Sequence, residues 1–123
     1  MKFIRIGAGI NGKTVEEPLA LADALAHEAI PGRMLLVDCL TFWIANLMMV
    51  EAKVEREITG LVRYLSEARA PIVLVSNEVG QGVIPDNEMA REFVDLSGKA
   101  HQEIASICTN AYFVTAGLPQ QLK

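Results

Sequence analysis

The chain reads as an α/β domain built on a mostly parallel sheet with flanking helices, and three observations lead there. Short β-branched runs alternate with longer stretches of helical period, the pattern of βα units. The short runs are apolar almost throughout, which suits strands covered on both faces. Polar or glycine-bearing residues follow the runs, where an open parallel sheet binds its ligands.

The elements follow in order. Lys2 to Ile6, Met34 to Cys39, Ile72 to Ser76 and Ala111 to Thr115 read as four strands. Between the first two, Glu17 to Ala29 places Leu19, Leu21, Ala22, Leu25, Ala26 and Ala29 on one helical stripe. Pro18 stands where a first helical turn accepts it, and Pro31-Gly32 ends the segment. From Thr41 to Arg69 apolar residues recur at spacings of three, four and seven, as one long helix or as two with a break near Val50 to Lys53. The loop Asn77 to Gly82 is polar and glycine-rich. Pro85-Asp86 then signals a cap, and a last helix presents Met89, Phe93, Leu96, Ala100, Ile104 and Ile107 on one face. Trp43, Met48 and Met49 fall at core spacing. The tail Gly117 to Lys123 is expected to be loosely ordered.

Composition bounds the function. The 123 residues are 51% apolar and 21% charged, so residues 1–123 form a single folded domain with its own core. The net charge is −4 with no Lys/Arg run, which argues against nucleic acid or an anionic membrane as partner, since both need clustered positive charge. The charge-free apolar stretch Cys39 to Val50 has 12 residues, and the longer charge-free stretch Ile104 to Leu122 is broken by Thr109-Asn110, Pro119 and Gln120-Gln121, so neither supplies the roughly 20 apolar residues that span a bilayer. Cys39 and Cys108 lack metal-ligand or CxxC spacing, which points to inert thiols in a reduced, cytoplasmic setting.

Three segments carry candidate chemistry. Gly7 to Thr14 satisfies GxxxxGK[ST], with Gly7, Gly12, Lys13 and Thr14 at the specified positions and Gly9 between them. In a phosphate loop the backbone N–H groups cradle phosphates, the lysine meets the β- and γ-phosphates and the Thr hydroxyl binds Mg²⁺. Such a loop opens its helix at the lysine, which would bury Pro18 in a helix interior, so a plain glycine-rich turn stays open as the other reading. Asp38 follows four apolar residues at a strand end, the Walker B arrangement that aims a carboxylate at Mg²⁺; it could equally cap the next helix. Asn77 and Glu78, with Gly80 and Gly82, suit general-base, metal-orienting or ribose-binding work, or form a polar surface turn. His27 lies opposite its helix's apolar stripe and His101 one residue beyond another; neither is expected to be catalytic.

Several of these residues together resemble one family. Leu35 to Thr41 with Asn46-Leu47, the run Val73 to Asn87 containing Asn-Glu-Val-Gly-Gln-Gly, and Arg91, Phe93, Asp95, Gly98 and Gln102 are similar to the bifunctional adenosylcobinamide kinases and adenosylcobinamide-phosphate guanylyltransferases of cobalamin biosynthesis. Thr14 to Pro18 resembles the family's TxEEP segment, and Val114 to Lys123 its ending. The resemblance implies a RecA-like P-loop NTPase fold, shortened at the amino end, in a homo-oligomer, a trimer. It implies GTP or ATP with Mg²⁺ as cofactors, Asp38 as the metal carboxylate and Glu16 as a contact to the guanine nucleotide. The implied chemistry is phosphorylation of adenosylcobinamide, then GMP transfer from GTP to the product. The family's RSGKS-type loop and its GMP-accepting histidine have no counterpart, since no histidine precedes His27, and His101 does not match that position. Two other readings stay open: a catalytically inactive remnant that serves as an assembly module, and a small P-loop NTPase with another substrate, using Gly7 to Thr14.

Overall fold

The computed structural model describes residues 4–8, as backbone, and 13–123. The elements are β1 (Ile4–Ala8), β2 (Lys13–Glu17), α1 (Leu21–Glu28), β3 (Leu35–Asp38), α2 (Leu40–Met49), α3 (Val54–Glu67), β4 (Ile72–Val75), α4 (Glu88–Ile107), β5 (Tyr112–Thr115) and β6 (Leu118–Gln121). The main sheet has the order β2-β1-β3-β4. β3 and β4 are parallel, while β1 runs against both β2 and β3. Hence β2, β3 and β4 share one direction and β1 is inserted between two of them in the opposite one. The expected α/β architecture with parallel strands and flanking helices is present. Its chain path differs from the expectation at the start, where β1 and β2 form a hairpin instead of a strand entering a helix.

That hairpin moves the first helix. The segment from Lys13 to Glu17 is extended because it pairs along its whole length with β1, and α1 starts only at Leu21. The Glu17 carboxylate accepts from the Leu19 and Ala20 backbone N–H groups at 2.9 and 3.0 Å, which turns the chain into the helix. Pro18 therefore precedes the helix and removes no helical hydrogen bond. At the other end Pro31-Gly32 makes a tight turn, with Gly32 at φ 79° and Arg33 N–H donating to Ile30 O, the conformation that favours Gly after Pro.

The long amphipathic stretch is two helices. Glu51 adopts φ 54°, and the N–H groups of Ala52 and Glu51 reach back to the carbonyls of Leu47 and Met48, the paired bonds of a Schellman stop. α2 is buried on most of its surface through Leu40, Thr41, Trp43, Ile44, Asn46 and Leu47. Around it the core collects Leu21, Leu25, Leu35, Val37, Ile58, Leu61, Leu96, Ala100 and Ile104. Trp43 Nε1 donates to Leu19 O at 2.8 Å and Asn46 Nδ2 to Pro18 O at 3.0 Å, so this helix also pins the β2–α1 turn. Met49, expected in the core, is exposed at the end of α2.

Three further expectations are corrected. Among the described residues the sheet is covered on one face only: Leu35 and Val37 are buried, whereas Leu36, Val73 and Val75 are exposed. The fourth apolar run does not join the main sheet. It pairs with β6 in a separate hairpin, turned by Ala116 at φ 52° and Gly117 at φ 74°, the two positive φ values of a type I′ turn. The tail is thus a strand and not a loose end. Lys123 Nζ donates to the carbonyls of Ala105 and Ser106 at 3.0 Å each, binding the last residue to the carbonyl-rich end of α4.

Candidate functional site

Strand direction puts the carboxyl ends of β2, β3 and β4 at one edge of the sheet. Arg5 of β1 is the register partner of Glu16 on one side and of Asp38 on the other. Glu16 and Asp38 therefore stand on one row and one face, two strand spacings or about 10 Å apart. Both are exposed, and among the described residues no side chain pairs with either. Val75 is the partner of Asp38 on the far side. The described residues contain no group of three His, Cys, Asp or Glu able to hold a metal. A lone open carboxylate at a strand end fits Mg²⁺ as it binds with nucleotides, through one or two carboxylates, substrate phosphates and retained water.

Just beyond Asp38 and Val75, the two parallel strand ends are bridged. Asn77 Nδ2 donates to Thr41 Oγ1 at 3.0 Å, and the Cys39 thiol lies 3.2 Å from the same hydroxyl. A cavity of about 540 Å³ opens here between α2, the loop after β4 and α4. In that loop, Glu78 Oε1 accepts from Gly80 N–H at 2.6 Å, so one carboxylate oxygen closes a local turn. A Cβ at Gly80 would meet this oxygen at 2.9 Å, whereas one at Gly82 would meet open space. The loop is held at its far end by Arg91, which donates to Pro85 O and Asp86 O, and by Asn87, which caps α4 through Ala90 N–H at 2.7 Å. The cap comes from Asn87 and not from Asp86.

The structure also joins a pair that no spacing in the chain signals. Ser76 Oγ lies 2.6 Å from His101 Nε2, bringing the residue after β4 against α4. Burial lowers the His101 pKa, and the nearby Glu78 charge works against that shift. A neutral ring can accept the Ser76 hydroxyl at Nε2 when Nδ1 carries the proton. Because the folded pKa lies below the unfolded value of 6.5, the unfolded chain binds more protons in the window between them. This contribution to stability is complete above pH 6.5 and is lost as pH falls through the folded pKa. Thermal unfolding followed from pH 8 to pH 5, as a rough bracket of the histidine range, should show the native chain losing stability faster than His101→Asn. Parallel curves would contradict this assignment.

The phosphate-loop reading of Gly7 to Thr14 requires correction. Lys13 and Thr14 lie in β2, opposite Ala8 and Gly7 of β1, and do not open a helix; Gly9 and Gly12 lie outside the described residues. Ala8 also partners Leu35, so Lys13 stands at the row where β3 begins while Asp38 ends that strand. The two are separated by three residues of rise, about 10 Å along the strand. Lys13 is moreover engaged by the buried Glu28, at 3.1 Å, which Arg33 pairs at 2.7 Å. The Lys13 hydrogen bond holds the Glu28 carboxyl below its usual range against the opposing effect of desolvation. His27, 83% exposed beside Glu28, is a surface residue as expected.

The geometry defines an α/β domain with parallel strands and flanking helices, with its acidic residues and a polar loop at the carboxyl edge of the sheet. Residues 10–122 match the family described as cobinamide kinase / cobinamide phosphate guanyltransferase, and the chain belongs to that family. It is 48% identical over 113 residues to the bifunctional adenosylcobalamin biosynthesis protein CobP of Pseudomonas aeruginosa, covering 90% of this chain and 65% of that protein. It is 27% identical over 134 residues to the protein of the same description, CobU, of Escherichia coli, covering 97% of this chain and 74% of the relative. The Salmonella typhimurium CobU is 26% identical over 132 residues, at 95% and 73% coverage. The chain thus spans just under two thirds of the length of the Pseudomonas relative. No helix among the described residues is long and apolar enough to cross a membrane.

Proposed function

We propose that this chain works in cobalamin biosynthesis, binding GTP or ATP with Mg²⁺ at the carboxyl edge of its sheet and adenosylcobinamide beside it. In this reading Asp38 holds the ion together with the nucleotide's oxygens, and Glu16 contacts the guanine nucleotide. The observation that carries it is the single exposed row of Glu16 and Asp38, next to the Thr41–Asn77 bridge. Asn77, Glu78, Gly80 and Gly82 form the loop that borders the site. The setting is the cytoplasm and the working form is a homo-oligomer, a trimer.

In the kinase reaction the acceptor alcohol's oxygen bonds to the γ-phosphorus, the bond from that phosphorus to the β–γ bridging oxygen breaks, and the nucleoside diphosphate leaves. The alcohol's proton is released to water. Mg²⁺, when bound, neutralises charge on the phosphate oxygens. Such chemistry depends on positioning and charge, and Lys13 is committed to Glu28 at the far edge, so transfer is slow. Guanylyl transfer through a histidine has no support, because neither His27 nor His101 stands at the acidic row. Labelled GTP followed by denaturing separation should leave no label on the protein. An acid-labile adduct would overturn this part.

The Lys13–Glu28 ion pair also favours a second reading, a catalytically inactive member that persists as an assembly module. Calorimetry separates the two, since such a remnant gives no Mg²⁺-dependent heat with GTP.

A further inference from the structure

The cavity at the two strand ends is not accounted for by the nucleotide. Its walls include Thr41, Phe42, Met49, Asn77, Val79 and Phe93, and among the described residues no Lys, Arg, Asp or Glu lines it. A triphosphate site without a cation would leave several negative charges uncompensated in an apolar recess, which is costly. The volume of about 540 Å³ lies within the range of small-molecule pockets, which are mostly apolar with a few polar groups that fix orientation. Of the polar lining residues, Asn46 gives its amide hydrogen to Pro18 O at 3.0 Å, while Thr41 and Asn77 stand together at the strand ends. Asn77 gives an amide hydrogen to Thr41, and its amide oxygen has no donor among the described residues. Phe42, Met49 and Phe93 form the apolar end. The polar end adjoins Asp38, since Thr41 follows it by three residues and Asn77 follows its register partner Val75 by two.

We infer that this cavity is the acceptor pocket: it takes the uncharged, amide-bearing periphery of the corrinoid, with the acceptor alcohol directed to the Thr41–Asn77 end. The assignment rests on the function proposed above. Amide-to-amide and hydroxyl contacts at Asn77 and Thr41 orient the ligand, and the aromatic and thioether side chains cover its apolar edge. Among the described residues the absence of charge in the lining separates the two substrates in space: phosphates go to the acidic, metal-binding row and the uncharged amide periphery of the acceptor goes to the cavity.

Equilibrium dialysis against cobinamide, read by corrin absorbance, tests this on the full chain. Met49 is 65% exposed and Val79 lies in a loop, so Met49→Asp and Val79→Asp change the pocket wall without emptying the core, and Met49→Leu restores its apolar character. Each Asp variant should weaken cobinamide binding by about tenfold or more and leave GTP–Mg²⁺ affinity within about twofold, whereas Met49→Leu should bind cobinamide as the native chain does. Unchanged cobinamide binding in both Asp variants overturns the pocket assignment while the functional reading stands. Loss of GTP binding with cobinamide binding intact assigns the cavity to the nucleotide and also overturns it. A native chain that binds GTP but no cobinamide removes the functional reading, and the assignment falls with it.

Discussion

Asp38→Asn is expected to weaken Mg²⁺-dependent GTP binding by about tenfold or more and to slow phosphoryl transfer by about a hundredfold or more, the usual cost of removing one group that stabilises developing charge. The substitution keeps the shape of the side chain and removes its charge. Asp38 is exposed and at the end of its strand, so the thermal midpoint should stay close to that of the native chain. Calorimetry with and without Mg²⁺ checks the binding, and equal affinities of the two proteins in the presence of Mg²⁺ would remove Asp38 from the site. Lys13→Ala is the useful contrast. Lys13 is committed to Glu28, so its loss should alter stability and leave nucleotide affinity unchanged.

Trp43→Ala should be the most damaging core substitution. Trp43 is 1% exposed and central to α2, and truncation of a buried tryptophan costs about 3–5 kcal/mol through lost burial and the cavity left behind. The substitution also leaves Leu19 O without its 2.8 Å donor, loosening the turn that leads from β2 into α1. Against a total stability of about 5–15 kcal/mol, such a loss lowers the melting temperature by roughly 10–20 °C for a domain of this size. Trp43→Phe keeps most of the ring and loses the indole donor, so it should cost about 1–2 kcal/mol. Differential calorimetry of both variants separates the packing contribution from the hydrogen bond. A melting temperature unchanged in Trp43→Ala would mean that α2 does not carry the core.

The parts of this fold that were legible in the sequence are those set by local chemistry. α2, α3 and α4 announce themselves through apolar spacing, β3 and β4 through their apolar runs, and Asp38 through its place at the end of one of them. Pro31-Gly32 marks its turn because proline presets one backbone angle and glycine permits the other. The failures are non-local. Gly7 to Thr14 meets the phosphate-loop pattern residue by residue, but whether Lys13 opens a helix or lies in a strand depends on β1 pairing with β2, which no spacing within the segment encodes. β6, Leu118 to Gln121, has no β-branched residue and is exposed throughout; it is a strand because Ala116 and Gly117 turn it back onto β5. The Ser76–His101 contact joins residues 25 apart, and neither has a neighbour in sequence that signals it. The shared row of Glu16 and Asp38 likewise appears only once the register across β1 is known.

The measurement that bears most directly on the central claim is transfer of label from γ-labelled GTP to cobinamide, catalysed by the native chain with Mg²⁺ and compared with Asp38→Asn. Slow formation of labelled cobinamide phosphate that Asp38→Asn reduces by about a hundredfold or more is the expected result. No transfer above background by the native chain, or transfer that survives the loss of the Asp38 charge, would contradict the account.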